Sequence, residues 1–195
     1  MPQSADFTPN TDELLVNNQA YVARFADHGL QLSPKRHLAV VACMDSRMDI
    51  FEMLGLKHGD AHIIRNAGGV VTDDVVRSLV VSQRLLNTQE IVLIHHTNCG
   101  LQTVSEDEFK HQIEAECGIK PWWALETFGD PFVDVRQSMA RLHTVRSLFI
   151  KTTFAGSCTT WKPALCTKWK QIRATSIDDY PRSIPLKITT TFSSG

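Results

Sequence analysis

No apolar run in this 195-residue chain approaches the ~20 residues needed to cross a bilayer. Its first stretch, MPQSADFTPNTDELL, has no basic segment leading into an apolar one, so it does not read as a secretory signal. An excess of charge is missing too. The 20 Lys and Arg against 21 Asp and Glu leave a net charge of −1, which offers no footprint for nucleic acid or an anionic membrane. The five cysteines are odd in number and lack the framework spacing of a small secreted protein. That usage fits the reducing cytosol, where thiols stay available for metal or catalysis. There is no internal repeat, and no G-x-G-x-x-G dinucleotide fingerprint. The chain does have 43% hydrophobic residues, enough for one buried core.

Strand and helix patterns alternate through its first two thirds. LAVVAC (38–43), HIIR (62–65) and EIVLIHH (90–96) are short, apolar and bounded by turn residues, so they read as strands. MDIFEMLG (48–55) and TDDVVRSLVVSQRLLN (72–87) read as the helices between them, the second with Thr72 as N-cap. SEDEFKHQIEAECG (105–118) pairs Ser105 with Glu108 in capping-box spacing and stops at Gly118. PFVDVRQSMARLH (131–143) and TDELLVNNQAYVARFADHG (11–29) complete the expected helices. This order predicts an α/β fold with a mainly parallel central sheet flanked by helices. In such sheets the active crevice lies at the carboxyl ends of the strands.

All three strands end in residues capable of chemistry: CMDSR, RNAGG and HHTNCG. Cys43, His96 and Cys99 together offer two thiolates and an imidazole, the donors zinc favours. Three protein ligands leave a fourth position open, the catalytic arrangement, in which a bound water is acidified toward a pKa of ~7. If β geometry runs on past Cys43, then Cys43, Asp45 and Arg47 look into one space. Asp45 would accept a hydrogen bond from that water, with Arg47 holding the carboxylate ionised through a bidentate pair. Released from Arg47, Asp45 could itself become the fourth ligand. Arg65 and Asn66 would fix the loop around Ala67 and Gly68, whose backbone lines the pocket, and Asp74 and Arg77 can pair at i, i+3.

Each feature alone has a plainer reading. A Cys after an apolar run is commonly a core residue, H-x-x-C is a weak motif, and Asp and Arg two apart usually form a solvated pair. His95 points opposite to His96 and reads as packing or support, Cys117 as structural, and His111 and His143 as surface residues. Three coincident strand ends outweigh these separate readings.

C-x-D-S-R, then R-N-A-G, then H-x-x-C-G resembles the β-class carbonic anhydrases, and the similarity, especially to the small bacterial branch, runs from about Ala39 to Gln137. The resemblance implies reversible hydration of carbon dioxide to bicarbonate by attack of zinc-bound hydroxide. It implies one Zn²⁺ per chain on Cys43, His96 and Cys99, an Asp45–Arg47 dyad, and a pocket including Asn66, Ala67, Gly68 and Gly100. It also implies homodimers or homotetramers in which the first helix packs on a neighbouring subunit. Alternatives remain open: hydrolysis of carbonyl sulfide or carbon disulfide on the same scaffold, or zinc binding without full activity. Thiol chemistry at Cys43 is disfavoured because no resolving cysteine neighbours it in sequence.

Residues 1–150 are thus expected to form one zinc-binding α/β domain with an N-terminal helical arm. Residues 151–195 depart from the family ending, which resembles RGFVYDVETGxLxEV, and are expected to pair poorly or be disordered. With suitable third bases, the codons for TTFAGSCTTWKPALCTKW (152–169), prefixed by a G and read one base earlier, give DDIRGFVYDVETGALHEV. A shifted reading frame from about residue 152 follows as an expectation, with no zinc role for Cys158 or Cys166.

Overall fold

A computed structural model describes residues 10–26 and 28–148, together with the strand segments 153–159, 161–162, 165–166 and 172–174. The chain divides into two compact units, 1–31 and 32–195. The first contains helix α1 (Thr11–Arg24), which ends at extended Phe25, five residues short of the Gly29 stop that the sequence pattern predicts. Leu14, Leu15, Tyr21 and Val22 are exposed on α1 and share one stripe about 120° wide.

The second unit is built on strands β1 (Leu38–Cys43), β2 (Ala61–Asn66), β3 (Glu90–His96), β4 (Thr153–Thr159) and β7 (Ile172–Ala174). They form one sheet in the order β2-β1-β3-β4-β7. The first four are parallel, and β7 runs antiparallel on β4. A separate two-stranded ribbon joins β5 (Trp161–Lys162) to β6 (Leu165–Cys166). Strand β4 was not legible as a strand: its Thr-rich pattern carries no clear alternation, and its place is defined by the backbone ladder on β3. The side chains of Cys158 and Cys166 lie outside the described residues.

Alternation along the strands builds a core on each face. Ala39, Val41, Ile91 and Leu93 pack with Val75 and Leu79 of α3 (Asp73–Leu86) and with Val135, Met139 and Leu142 of α5 (Pro131–Thr144). Val40, Ala42 and Ile94 pack on the other face with Met48, Ile50 of α2 (Ile50–Leu54), Leu56, Val70 and Phe128. Helix ends follow the sequence signals. Thr72 and Ser105 accept hydrogen bonds from Val75 and Glu108 backbone N–H, the latter opening α4 (Glu106–Cys117). Gly118 closes α4 in the left-handed region.

β1 lies between β2 and β3, so Cys43, Asn66 and His96 finish side by side at the carboxyl edge. A 3-10 turn at Ala67–Gly69 follows β2 and presses on that edge. A Cβ on Gly69 (φ +72°) would stand 2.7 Å from the Cys43 backbone nitrogen and 2.9 Å from the Ile94 carbonyl oxygen. Only glycine fits that approach.

Candidate metal centre

Cys43 ends β1, His96 ends β3, and Cys99 follows three residues later, just before a second 3-10 turn at Gly100–Gln102. One ligand atom from each lies within 4.8 Å of the others, and all three residues are buried. The two Sγ atoms are 3.9 Å apart. Two Zn–S bonds of about 2.3 Å at a tetrahedral angle would set sulfurs about 3.8 Å apart, so the pair fits a zinc ion in both chemistry and spacing. The His96 Nδ1–H donates to the Thr97 carbonyl at 2.9 Å, which turns Nε2 toward Asp45 Oδ2 at 3.7 Å.

The charges of these groups are coupled. Burial alone would raise the Cys43 thiol, but the His96 hydrogen bond and backbone hydrogen bonds from Asp45 and Gly68 bring it below its ordinary value. Burial likewise opposes protonation of His96, yet the Cys43 partner raises it. Cys99 is pushed up to about 11, first by burial and further by neighbouring Cys43. A divalent cation between the sulfurs would favour both thiolates.

β1 stops at Cys43, so Asp45 and Arg47 do not reach the site by continued strand alternation. A turn brings them there. The Arg47 backbone N–H donates to Asp45 Oδ1 at 2.9 Å, and Met48 N–H donates to the Asp45 carbonyl at 3.0 Å. The Arg47 guanidinium then grips the carboxylate at both oxygens, Nε to Oδ1 at 2.8 Å and Nη2 to Oδ2 at 2.6 Å. Arg47 thereby holds the Asp45 carboxyl well below the usual carboxylate range. The same contact raises the guanidinium.

Arg65 fixes the loop that carries these groups. It donates twice to the Cys43 carbonyl, at 3.0 and 2.7 Å, once to that of Asp45 at 2.6 Å and once to that of Met48 at 3.0 Å. Asn66 Nδ2 donates to the Val70 carbonyl at 2.9 Å and braces the 67–69 turn. Gly68 is buried at φ +77°, and a Cβ there would meet Leu101 Cδ1 at 2.8 Å and Phe128 Cε1 at 3.0 Å. Ala67 is half-buried beside it, and Gly100 is exposed next to Cys99.

Sequence reasoning did not single out Gly69, Leu101 or Phe128. The second glycine of RNAGG was the available signal for the first, whereas the other two are ordinary apolar residues until the chain folds. Cys117 is exposed at the end of α4 rather than part of the interior, because that helix buries none of its side chains. His111 is exposed and His143 half-buried. Asp74 and Arg77 pair on the surface of α3 at 2.7 Å. A separate hollow of about 330 Å³, lined by residues including Ser46, Met48, Phe51, Ile63 and Arg65, does not include the three donors.

A family model described as carbonic anhydrase matches residues 38–127. Beta-carbonic anhydrase 1 of Mycobacterium tuberculosis is 54% identical over 132 residues, covering 68% of this chain and 80% of that protein. Carbon disulfide hydrolase of an Acidianus strain is 42% identical over 103 residues, half of each chain. Among solved structures, carbonic anhydrase from Streptococcus mutans superposes with a TM-score of 0.74 at 40% identity, covering 79% of this chain and 93% of that one. With this extent of identity and structural likeness, and a cysteine–histidine–cysteine cluster at its strand ends, the chain belongs to the β-class carbonic anhydrase family.

Proposed function

We propose that Cys43, His96 and Cys99 hold one Zn²⁺ and that the protein catalyses reversible hydration of carbon dioxide to bicarbonate and a proton. The observation that carries this reading is the convergence of three buried soft donors beside an intact Asp45–Arg47 pair. Zinc bound there would supply Lewis acidity, lowering the pKa of a water at its open corner. Asp45, kept ionised by Arg47, can only accept a hydrogen bond, so it orients a water's proton and leaves the oxygen lone pair toward the substrate. Its Oδ2 already lies beside His96 Nε2, near enough to compete for the open corner once Arg47 lets go. Asn66, Ala67, Gly68 and Gly100 are assigned to the substrate pocket, where the bare Gly68 backbone packs closely against Leu101 and Phe128.

Metal analysis of the full chain and its Cys99→Ser variant tests the assignment, together with stopped-flow carbon dioxide hydration. About one zinc per chain in the parent, lost in the variant with the rate, is expected. A parent that accelerates hydration no faster than buffer while containing zinc would overturn the activity and leave the centre. The Acidianus relative motivates a second substrate arm. Faster turnover of carbon disulfide than of carbon dioxide would reassign the substrate.

The exposed apolar stripe of α1 supports a homodimer or homotetramer; light scattering with Leu15→Glu tests it. Free thiols at the centre suit a cytoplasmic location, and among the described residues no helix is long and apolar enough to cross a membrane. From about residue 152 the chain is best read as a shifted frame of the family ending. Gene sequence around Lys151 that cannot yield that ending in another frame would sink the idea.

A further inference from the structure

His95 is fully buried, yet it is not one of the three clustered donors. It projects from β3 on the face opposite His96, where Ile91 and Leu93 pack against α5. There its Nε2 lies 2.6 Å from Asp134 Oδ2 on the first turn of α5. An ionised carboxylate only accepts, so the imidazole proton sits on Nε2. Nδ1 has no hydrogen-bond partner among the described residues. An apolar side chain at 95 would extend the Ile91–Leu93 packing without the cost of burying a polar pair. Such pairs generally contribute little net stability over well-packed apolar residues. What the pair does supply is a fixed direction.

The neighbouring His96 needs that direction. Its ring is oriented by a hydrogen bond to the Thr97 carbonyl, so it turns with the backbone at 96–97. The segment before α5 meets the same region at two further points. Phe128 packs on the His95 ring at 5.6 Å between centroids, and Gln102 Nε2 donates to the Gly129 carbonyl at 3.3 Å. Gln102 Oε1 in turn accepts from the Cys99 backbone N–H at 3.1 Å. The segment leading into α5 and its first turn therefore touch His95, next to His96, and Gln102, which holds the Cys99 backbone.

We propose that His95 and Asp134 are a positioning pair for the metal centre, locking the end of β3 to α5 so that His96 and Cys99 meet one ion at fixed geometry. The inference rests on the zinc reading above and adds to it residues that touch neither metal nor substrate.

The test uses the full chain loaded with zinc or cobalt. Zinc affinity is read by competition with a chelator, ligand geometry by the visible bands of the cobalt form, and folding by thermal unfolding. His95→Phe and Asp134→Leu are expected to weaken zinc binding by about tenfold or more and to shift or broaden the cobalt bands. His95→Gln and Asp134→Asn, which can still bridge strand and helix by a hydrogen bond, are expected to recover most of the affinity. His95→Phe with parental zinc affinity and parental cobalt bands would overturn the proposal, whatever its unfolding temperature. If that variant does not fold, equal zinc affinities for Asp134→Leu and Asp134→Asn would overturn it instead. A parent chain that binds no zinc would remove the zinc reading itself, an outcome distinct from variants that match a zinc-binding parent.

Discussion

The two ends of the parallel sheet both bury polar side chains, with opposite results. At the amino end, His62 Nδ1 lies 2.8 Å from Ser82 Oγ, which lies 2.8 Å from Thr88 Oγ1. These groups, one imidazole and two hydroxyls, satisfy one another in a hydrogen-bonded chain that costs little to bury. At the carboxyl end, two thiols and an imidazole crowd together. The Cys43 thiol is lowered, His96 raised and Cys99 pushed up to about 11. Burial of polar groups is thus no mark of function by itself. The mark is burial of groups whose charges depend on one another and on a further cation.

Substitutions can break this contrast at either end. The largest effect is expected from Cys99→Ser, which should reduce bound zinc from about one per chain to near none. Elemental analysis after dialysis checks it. Gly69→Ala comes next. Its methyl would press on the Cys43 nitrogen and Ile94 oxygen at a positive φ, so a stability loss of more than about 3 kcal/mol is expected in urea unfolding. Arg65→Lys should follow, because an ammonium, with three donors on one atom, cannot reproduce the four hydrogen bonds that the planar guanidinium fork spreads over three carbonyls. A tenfold or greater fall in kcat/KM with folding retained, an order-of-magnitude expectation for a lost positioning fork, is read by stopped flow. At the other end, Ser82→Ala should cost about 1–3 kcal/mol by stranding buried partners, while zinc affinity stays at the parental value. A change in zinc affinity there would erase the distinction between the two ends.

The smallest effect concerns acid. Arg47 depresses the Asp45 carboxyl in the folded chain, so the unfolded chain takes up that proton first as pH falls. The stabilisation is fully present above the ordinary carboxylate pKa of about 4 and is lost as pH falls toward the depressed folded value. Asp45→Asn should flatten this part of the acid limb in unfolding curves taken below about pH 4. An unchanged limb would mean the pair is too solvated to matter.

Much of this was legible because it is local. LAVVAC and EIVLIHH are apolar runs of strand length, Thr72 and Ser105 are caps, and Gly118 is a stop, each determined by neighbours in sequence. The donors Cys43, His96 and Cys99 were legible because parallel sheets gather strand ends on one edge. Residues whose roles lie across the fold were not. Asp134 looks like any acidic residue in the first turn of a helix, and Phe128 like any loop aromatic, until α5 folds against β3. The condition that β geometry runs on past Cys43 is not met: a turn at Asp45 replaces it, because the side-chain bond that bends the chain there competes with the ladder and leaves no pattern in sequence.

The sequence alone determined which groups this protein has for chemistry, and on which strand ends they sit, since periodicity and turn residues act within a few positions. The tertiary structure decided how close they come. The 3.9 Å between sulfurs, the wedge of Gly69 against β1 and β3, and the His95–Asp134 contact across 39 residues exist only once sheet and helix are packed, because distances between remote segments are set by packing rather than by local preference.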